Sequence, residues 1–443
     1  ADGAANAWGL NGSATVATNF IGTTNSQPLN FKMNNIHAGF INTGTSMAFG
    51  RGSMAPNTLL GNTAIGYNAL NVHASGSGNT AIGADAIKLS TSGTRNTALG
   101  YRALSTATSS FGCTALGNEA LFHATGNFNT GVGTSALDNN TGEGNTALGY
   151  EAMYQGTTGS RNAIIGYLAL RNGFGTDNVA VGAHAMESAN NMAQNTAVGG
   201  FALRNSTAND NTAVGWNTLM VSTSGGFNTA VGSQALLSNT SGAGNTAIGR
   251  MALSSNTTGG DNVAIGNSAG PALSNVFNTV NIGLGANVTA SDRARIGNSV
   301  MQEIGGYQPW SDLSDARFKR DIAPQTHGLD FILALEPITY RFDIRKLNAH
   351  TYGQADTLFN DARGQEAIAA KEARVFSGFS AQQVEQAAAA VGYDFSGVYA
   401  PANEQDHYAL AYSTFVVPLV KAVQEQQAII EELIARIAAL EGR

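Results

Sequence analysis

Residues 62–70 read Asn-Thr-Ala-Ile-Gly-Tyr-Asn-Ala-Leu, and variants of this phrase recur about once every 16 to 17 residues as far as Asn262. A fixed short period indicates that each copy is one structural unit, which buries its apolar side chains by stacking on the neighbouring copies. Degenerate copies at 46–50 and 278–283 extend the array. The first position of the phrase is occupied by Asn62, Asn79, Asn96, Asn129, Asn145, Asn162, Asn178, Asn195, Asn211, Asn228, Asn245 and Asn262, and by Cys113 in one copy.

The period and the residue types predict what each unit is. A two-helix repeat needs about 33 residues or more, which is twice the length available here. The phrase places Thr, Ala and a branched apolar residue before a glycine, and Gly, Asn, Ser and Thr fill the residues between phrases. This pattern is typical of one short strand followed by a turn. We therefore predict a mainly β chain with a parallel β-solenoid or β-roll of 16–17-residue coils over residues 46–300.

Two positions of the phrase have a predictable role. The glycine at the fifth position falls where the backbone turns with positive φ or meets another backbone closely. The asparagine at the first position tolerates left-handed geometry, and identical side chains on successive coils can stack as an amide ladder. Cys113 fits two interpretations: a small buried residue that interrupts the ladder, or an interchain contact near a symmetry axis.

The core of such coils is thin. The apolar residues that recur in each coil are one Val, Ile or Leu, one Leu or Met, and two alanines. Several chains wound about one axis would let each coil bury a second face, and closed symmetry would give every subunit the same contact. The residues themselves therefore predict an oligomer without fixing the number of chains.

The Asn-x-Ala-(Val/Ile)-Gly phrase resembles the head repeats of trimeric autotransporter adhesins, and the resemblance covers about residues 46–290. Those heads repeat at a somewhat shorter interval, so one or two extra turn residues must bulge outward here. The resemblance implies a β-roll built from three chains around one axis.

The composition argues against several classes of ligand. The net charge is −7 and no basic cluster occurs, which argues against nucleic acid as a partner. The seven histidines lack ligand spacing and only one cysteine is present, so we predict no metal site and no cofactor. No run of eighteen apolar residues occurs, and we expect no insertion into a membrane.

The N-terminal residues 1–45 are predicted to form a small β-rich module that caps the coils or docks them to a filament or baseplate. Trp8, Phe20, Phe31 and Phe40 lie there in a background rich in Asn, Thr and Gly. The numbering starts at Ala1, which fits removal of a signal peptide as well as simple trimming. With almost no cysteine, we expect an exported protein at the cell surface or outside the cell, with the tail of a virion as the alternative.

The composition changes after Gly297, where charged and helix-forming residues replace the repeat. Four blocks follow in order, at residues 314–322, 335–340, 378–385 and 408–413. Together they resemble the intramolecular chaperone domain at the end of phage tail fibres and endosialidases, the peptidase S74 family. The resemblance implies an α+β chaperone domain over residues 314–443, joined to the coils by a linker at 301–313.

The resemblance to that family also implies self-cleavage at the Leu313–Ser314 bond, with Ser314 as nucleophile and Lys319 as general base. A lysine acts as a base near neutral pH only when burial or a nearby cation lowers its pKa. Arg317 and Arg320 are candidates for that cation, and they fit solvated surface residues equally well. On an ideal helix a spacing of five places two side chains about 140° apart, so the chain must bend there or the partners come from different subunits. These residues alone also fit an N-cap Ser-Asp that opens a basic helix.

The last segment, about residues 413–443, has the spacing of a coiled coil. Apolar residues alternate at intervals of three and four, with β-branched residues at one core position and mostly leucine at the other. The side chains alone permit a dimer, and the trimer follows from the two family resemblances. The predicted seam contains Val416, Leu419, Val423, Gln426, Ile430, Leu433, Ile437 and Leu440.

These observations predict a homotrimeric fibrous protein with a structural and adhesive role. Its C-terminal domain would direct trimerisation and cut itself once, with no external substrate. The first hypothesis is a bacterial surface or secreted fibre that binds a cell-surface glycan or protein receptor, and the alternative is a phage tail fibre or tailspike. A glycan-degrading enzyme is disfavoured, because the sparse acidic residues of the coils form no recurring carboxylate pair.

Overall fold

The computed structural model describes residues 26–54, 61–73, 75–307, 311–353 and 358–442. Residues 1–25, which include Trp8 and Phe20 of the predicted N-terminal module, lie outside the described residues. The chain divides into two compact units, one up to Ser224 and one from Gly225. Each unit has its own architecture.

The first unit starts with two antiparallel pairings and continues as parallel coils. Strand β1 (Leu29–Met33) pairs with β2 (Ile36–Ile41), and β2 pairs with β3 (Met47–Phe49). From β3 onwards, one three-residue strand per repeat pairs in parallel with the strand of the next repeat. The strands that follow are β4 (Thr63–Ile65), β5 (Thr80–Ile82), β6 (Thr97–Leu99), β7 (Thr114–Leu116), β8 (Thr130–Val132), β9 (Thr146–Leu148), β10 (Ala163–Ile165), β11 (Gly175–Thr176), β12 (Val179–Val181), β13 (Met192–Ala193), β14 (Thr196–Val198) and β15 (Thr212–Val214).

The strands of successive repeats are in register. Thr63 lies opposite Thr80, and Thr80 lies opposite Thr97. The two-residue strands β11 and β13 pair with each other. The predicted β-solenoid with 16–17-residue coils is therefore confirmed.

The core of each coil differs from the sequence-based expectation in one position. The central alanine of the strand is fully buried, as are the alanine and the leucine or methionine that end the phrase, for example Ala147, Ala152 and Met153. The branched residue that ends the strand points away from this core: Leu148 is 46% exposed. Strand side chains alternate between faces, so an inward alanine places both of its neighbours outward. Each coil therefore buries less apolar surface than its composition suggests.

The glycine of the phrase allows the backbones of neighbouring coils to touch. Gly149 has a φ of 140°, and a Cβ atom there would overlap the carbonyl oxygen of Gly166 in the next coil. The sequence expectation for this position included both a positive φ and a close backbone approach, and both occur.

The turn after this glycine contains two further left-handed residues that have side chains. In the coil that begins at Asn145 these are Glu151 and Met153, with φ values of 49° and 53°. A left-handed conformation costs about 1–2 kcal/mol for a residue with a side chain. Here the full burial of Met153 and the hydrogen bond from its amide to Ala169 O, 2.9 Å long, offset that cost.

The asparagines at the first position are buried between coils, and all twelve are at most 2% exposed. Asn145 illustrates their contacts: its Oδ1 accepts hydrogen bonds from the amide and from Nδ2 of Asn162, at 2.9 and 3.0 Å. Its own Nδ2 donates to Gly159 O at 2.8 Å. The left-handed residue is the one just before the asparagine, such as Arg161, and the asparagine itself has no positive φ.

Cys113 takes the ladder position in one coil and is 1% exposed. Its amide donates to Asn96 Oδ1 at 2.9 Å, so the ladder hydrogen bond to the preceding coil is kept. Its Sγ donates to Gly126 O at 3.3 Å, and the backbone N–H of Asn129 faces the sulfur. Burial raises the pKa of this thiol. The location matches the interpretation as a small buried residue and leaves no surface for an interchain contact.

The second unit contains five more coil strands and a C-terminal α+β domain. The last ladder contact in this unit is made by a hydroxyl, because Thr279 donates to Asn262 Oδ1 at 2.7 Å. The prediction of an α+β domain that ends in a helix is confirmed. The elements are β16 (Thr229–Val231), β17 (Thr246–Ile248), β18 (Val263–Ile265), β19 (Val280–Ile282), β20 (Ala294–Ile296), a 3-10 turn (Ala316–Phe318), α1 (Leu329–Ala334), β21 (Ile338–Tyr340), α2 (Ile344–Tyr352), α3 (Ala362–Ala373), β22 (Phe376–Gly378), α4 (Ala381–Ala390), β23 (Val398–Tyr399), β24 (Ala409–Leu410), a 3-10 turn (Tyr412–Phe415) and α5 (Val416–Glu441).

We predict that placing asparagine at the ladder position that Cys113 occupies stabilises the protein. In Cys113→Asn, Oδ1 replaces a weak sulfur acceptor for the Asn129 amide, which should raise the free energy of unfolding by about 1 kcal/mol. Cys113→Ala, which supplies neither acceptor nor donor, is the control and should lower stability. Denaturant unfolding of the three proteins checks this, and an asparagine variant less stable than the parent would contradict the ladder energetics.

Candidate functional site

The predicted nucleophile and base are in direct contact. Lys319 Nζ donates a hydrogen bond to Ser314 Oγ at 2.9 Å. The residues between them form a 3-10 turn, which Asp315 caps by accepting the Arg317 amide at 2.9 Å. The turn replaces the ideal helix on which the two side chains would point apart. The local chain bends, which is one of the two solutions left open by the spacing.

Arg317 does not face Lys319 in this arrangement. Its guanidinium donates to both carboxylate oxygens of Asp315, with Nη2 to Oδ2 at 2.6 Å. These hydrogen bonds hold the pKa of Asp315 below its usual value. The expectation that Arg317 supplies a cation to Lys319 is therefore not supported, since its charge is directed at Asp315. Arg320 is exposed to solvent.

The segment that carries the pair is exposed. Every residue from 311 to 322 except the half-buried Asp315 is exposed, and Leu313, beside the predicted scissile bond, is 83% exposed. Phe318 and Ile322 are exposed as well. A general-base lysine must be withdrawn from water to lose its proton near neutral pH. In the described part of a single chain, the nucleophile and the base are in contact, but both remain exposed to water.

The other three sequence blocks contribute to one core of the C-terminal domain, in which Val384 is buried and against which Leu335 and Leu410 pack. Helix α1 brings Phe331, α4 brings Val384, and the turn before α5 brings Phe415, all of them buried in the same cluster. Strand β21 pairs with β22. A Cβ atom at Gly378 would overlap the hydroxyl of Tyr412, and that hydroxyl accepts the Phe379 amide at 3.1 Å.

This domain is also where the sequence matches a known family. Residues 314–393 match Peptidase S74, the chaperone of endosialidase. The match begins at Ser314 and covers the first three of the four blocks, so the resemblance inferred from those blocks is confirmed. No curated protein matches the chain.

The predicted seam lies on α5, and its residues are open to solvent in the single chain. The seven apolar members are between 48% and 71% exposed, and Gln426 is exposed too. Val420, Ile429 and Ile434 flank them and are equally open, so the apolar stripe is wider than a two-residue heptad seam. A neighbouring side of the helix packs on the rest of the domain, because Pro418 and Ala422 are buried and Glu425 Oε2 accepts the Leu329 amide at 2.7 Å.

A contact that sequence reasoning missed ties this domain to the last coils of the same unit. The Asp406 side chain is 0% exposed and accepts from Thr289 Oγ1 at 2.6 Å and from Arg293 Nη1 at 2.7 Å. The Ala402 amide donates to its second oxygen at 2.8 Å. These partners hold the pKa of Asp406 far below its usual value, although burial acts in the opposite direction. No local motif signals a contact between residues 117 positions apart.

Further hydrogen bonds join the same two surfaces. Asn403 Nδ2 donates to Thr289 O at 2.7 Å, and Tyr352 OH donates to Gly285 O at 2.8 Å. Ser299 Oγ donates to Asn348 Oδ1 at 2.6 Å. The domain is therefore docked through side chains from α2 and from the loop that precedes β24.

His407 lies next to this contact and is neutral there. Its Nε2 is 3.3 Å from Arg295 Nη2, and since an arginine can only donate, Nε2 is the acceptor. Burial, with Arg295 second, lowers the pKa of His407. Its Nδ1 has no hydrogen-bond partner within the described part of the chain. His407 lines a cavity of about 260 Å³.

The described ranges contain neither a metal-ligand cluster nor a helix suited to cross a bilayer. In residues 26–54, 61–73, 75–307, 311–353 and 358–442, no three His, Cys, Asp or Glu side chains gather as metal ligands would. Over the same ranges, no helix combines the length and the apolar character needed to cross a bilayer.

We predict that docking of the C-terminal domain weakens in mild acid because of His407. A histidine whose pKa is lowered on docking contributes fully above its ordinary pKa of 6.5 and loses that contribution progressively as the pH falls from 6.5 through the lower pKa of the docked state. Asp406 remains ionised in this window. The other titratable groups around the contact are Arg293, Arg295, Tyr352 and His350. The His350 ring approaches Asp406 O.

The test compares thermal unfolding of the parent and of His407→Gln at pH 7.5, 6.5 and 5.5. Glutamine can accept from Arg295 without titrating, so the parent should lose more stability between pH 7.5 and 5.5 than the variant. All the other titratable groups are common to both proteins. Parallel pH profiles would show that His407 does not titrate with docking.

Proposed function

We propose that the protein is a homotrimeric, tail-fibre-like structural protein whose C-terminal domain assembles the trimer and then cuts itself from the coils. The support is the combination of a β-solenoid with a following region that matches the chaperone of endosialidase. The proposed parts are an N-terminal docking module at 1–45, coils at 46–300, a linker at 301–313 and the chaperone at 314–443.

The case for association rests on apolar surface that a single chain leaves open. The strand-ending residues form a column on the outer face of the coils in each unit, and β-branched threonines share this face. Contiguous apolar surface of this kind marks an interface in a soluble protein. The column members that are at least 36% exposed are Ile65, Leu99, Leu116, Leu148, Ile165 and Val198 in the first unit, and Val231, Ile248, Ile265 and Ile296 in the second.

Two settings suit such a fibre. The match to a chaperone of endosialidase favours a phage tail fibre or tailspike, located on the virion. The likeness of the repeats to adhesin heads favours a bacterial surface or secreted fibre. In either setting the coils would present a surface for a cell-surface glycan or protein receptor, and residues 1–45 would attach the fibre.

The proposed cleavage uses the contact between Ser314 and Lys319. Lys319 Nζ takes the proton of Ser314 Oγ, which adds to the Leu313 carbonyl carbon. The Leu313–Ser314 C–N bond breaks, and the lysine returns the proton to the leaving amine of Ser314. Water then hydrolyses the ester, which leaves a carboxylate on Leu313. Association would bury the exposed segment around Leu313 and Phe318, so cleavage would follow assembly.

For cleavage, we predict that the parent chain is cut before Ser314 and that Ser314→Ala and Lys319→Arg remain intact. Intact-mass analysis of freshly expressed protein gives the products. Ser311→Ala, which changes an exposed serine three residues away, is the matched control and should be cut normally. A parent that stays whole, or a Ser314→Ala chain cut at the same bond, would contradict the proposal.

For assembly, we predict that lysine at seam positions prevents trimer formation. In Ile430→Lys combined with Leu433→Lys, six charges would have to enter one apolar interface, which costs several kcal/mol per trimer. Gln424→Lys places one positive charge per chain on an exposed position of α5 outside the seam and serves as the control. Analytical ultracentrifugation should show a trimer for the control only, and a trimeric seam variant would rule out the seam.

A further inference from the structure

The contacts that dock the C-terminal domain on the last coils do not include the proposed scissile bond. They lie on the coil side between Gly285 and Met301, and on the domain side between Asn348 and His407. The described linker residues 302–307 and 311–313 are all exposed. Breaking the Leu313–Ser314 bond therefore removes none of these hydrogen bonds.

The central contact is a built site for a carboxylate. Thr289 and Arg293, both on the last coil, donate to Asp406, whose side chain is 0% exposed. The domain contributes two further hydrogen bonds to the site. Asn403 donates to Thr289 O, and the Ala402 amide donates to the second Asp406 oxygen. Separating a buried carboxylate from a guanidinium costs free energy, because each charge loses its partner before water can solvate it.

We propose that the coil surface around Thr289 and Arg293 is a docking site for the acidic loop 402–407, and that the cut C-terminal domain stays bound there as a separate chain. Cleavage and release are then two events. The domain remains a non-covalent cap on the last coil until the Asp406 contact opens. This inference uses the proposed self-cleavage only as the natural source of a separate domain.

The contact also specifies which partner the site accepts. A loop with an asparagine three residues before an aspartate satisfies both Thr289 O and the Thr289 hydroxyl, and Arg293 matches the charge of the aspartate. Arg295, also on the last coil, approaches His407 just after the loop. The occupant is this chain's own loop, Asn403 to Asp406.

The experiment separates this inference from self-cleavage by using a Ser314→Ala chain in which residues 303–307 are replaced by the recognition sequence of a sequence-specific protease. After complete cutting, native mass spectrometry and size-exclusion chromatography report whether the C-terminal fragment remains with the coils. We expect retention in the Ser314→Ala parent. With Asp406→Asn added, we expect at least a tenfold greater fraction of free fragment.

Glu404→Gln is the matched control, because it removes one negative charge from an exposed position of the same loop. It should retain the fragment as the parent does. Thr289→Val tests the contact from the coil side and decides the matter if Asp406→Asn fails to fold. Loss of the fragment from the parent on cutting, or equal retention by the parent, Asp406→Asn and Thr289→Val, would overturn the proposal.

Discussion

The rest of the structure depends on one contact between coils. It is the hydrogen bond from the backbone N–H of each ladder residue to the asparagine side-chain oxygen of the coil before it. Asn145 Oδ1 accepts the backbone N–H of Asn162, so a donor that would otherwise be buried without a partner is satisfied. The strand that follows starts at a fixed point relative to that amide. Its central alanine then points inward and its last residue outward, which gives Leu148 and its equivalents their exposed position. The register of the coils and the open apolar column therefore have the same origin.

The period of the sequence was sufficient to predict the strand, the glycine and the ladder position, because each depends on residues within one repeat. The turn after the glycine was not predictable in this way. Glu151 and Met153 adopt left-handed geometry that neither residue type favours, and only burial and contacts with the neighbouring coils offset the cost. The exposure of Leu148 was missed for a related reason. Apolar character suggests burial, whereas strand alternation next to an inward alanine places this side chain outside.

The candidate site shows the same division between local and long-range information. The contact of Ser314 with Lys319 depends on a short turn, and the family resemblance named both residues. Arg317 pairs instead with Asp315, two residues away, a partner that the sequence spacing did not indicate. Asp406 carries no recognisable motif, and its role depends on a coil more than a hundred residues earlier in the chain.

Three surfaces of the single chain are exposed in the same way. The outer column of the coils, the apolar stripe of α5 and the segment around the scissile bond are all open to water. Association of identical chains would cover all three, and it would link self-cleavage to assembly, because the lysine would lose its water only in the assembled state. The polar contact around Asp406 is already complete within one chain, which fits a role in holding the domain in place.

The most direct test of the central claim is the native mass of the freshly purified wild-type chain at low concentration, measured beside its circular dichroism spectrum. The account predicts a particle three times the mass of one chain, or three cut pairs held together, with the β-sheet signal present. A β-folded particle with the mass of a single chain would contradict it, because the outer column and the α5 stripe would then be stable in water without a partner.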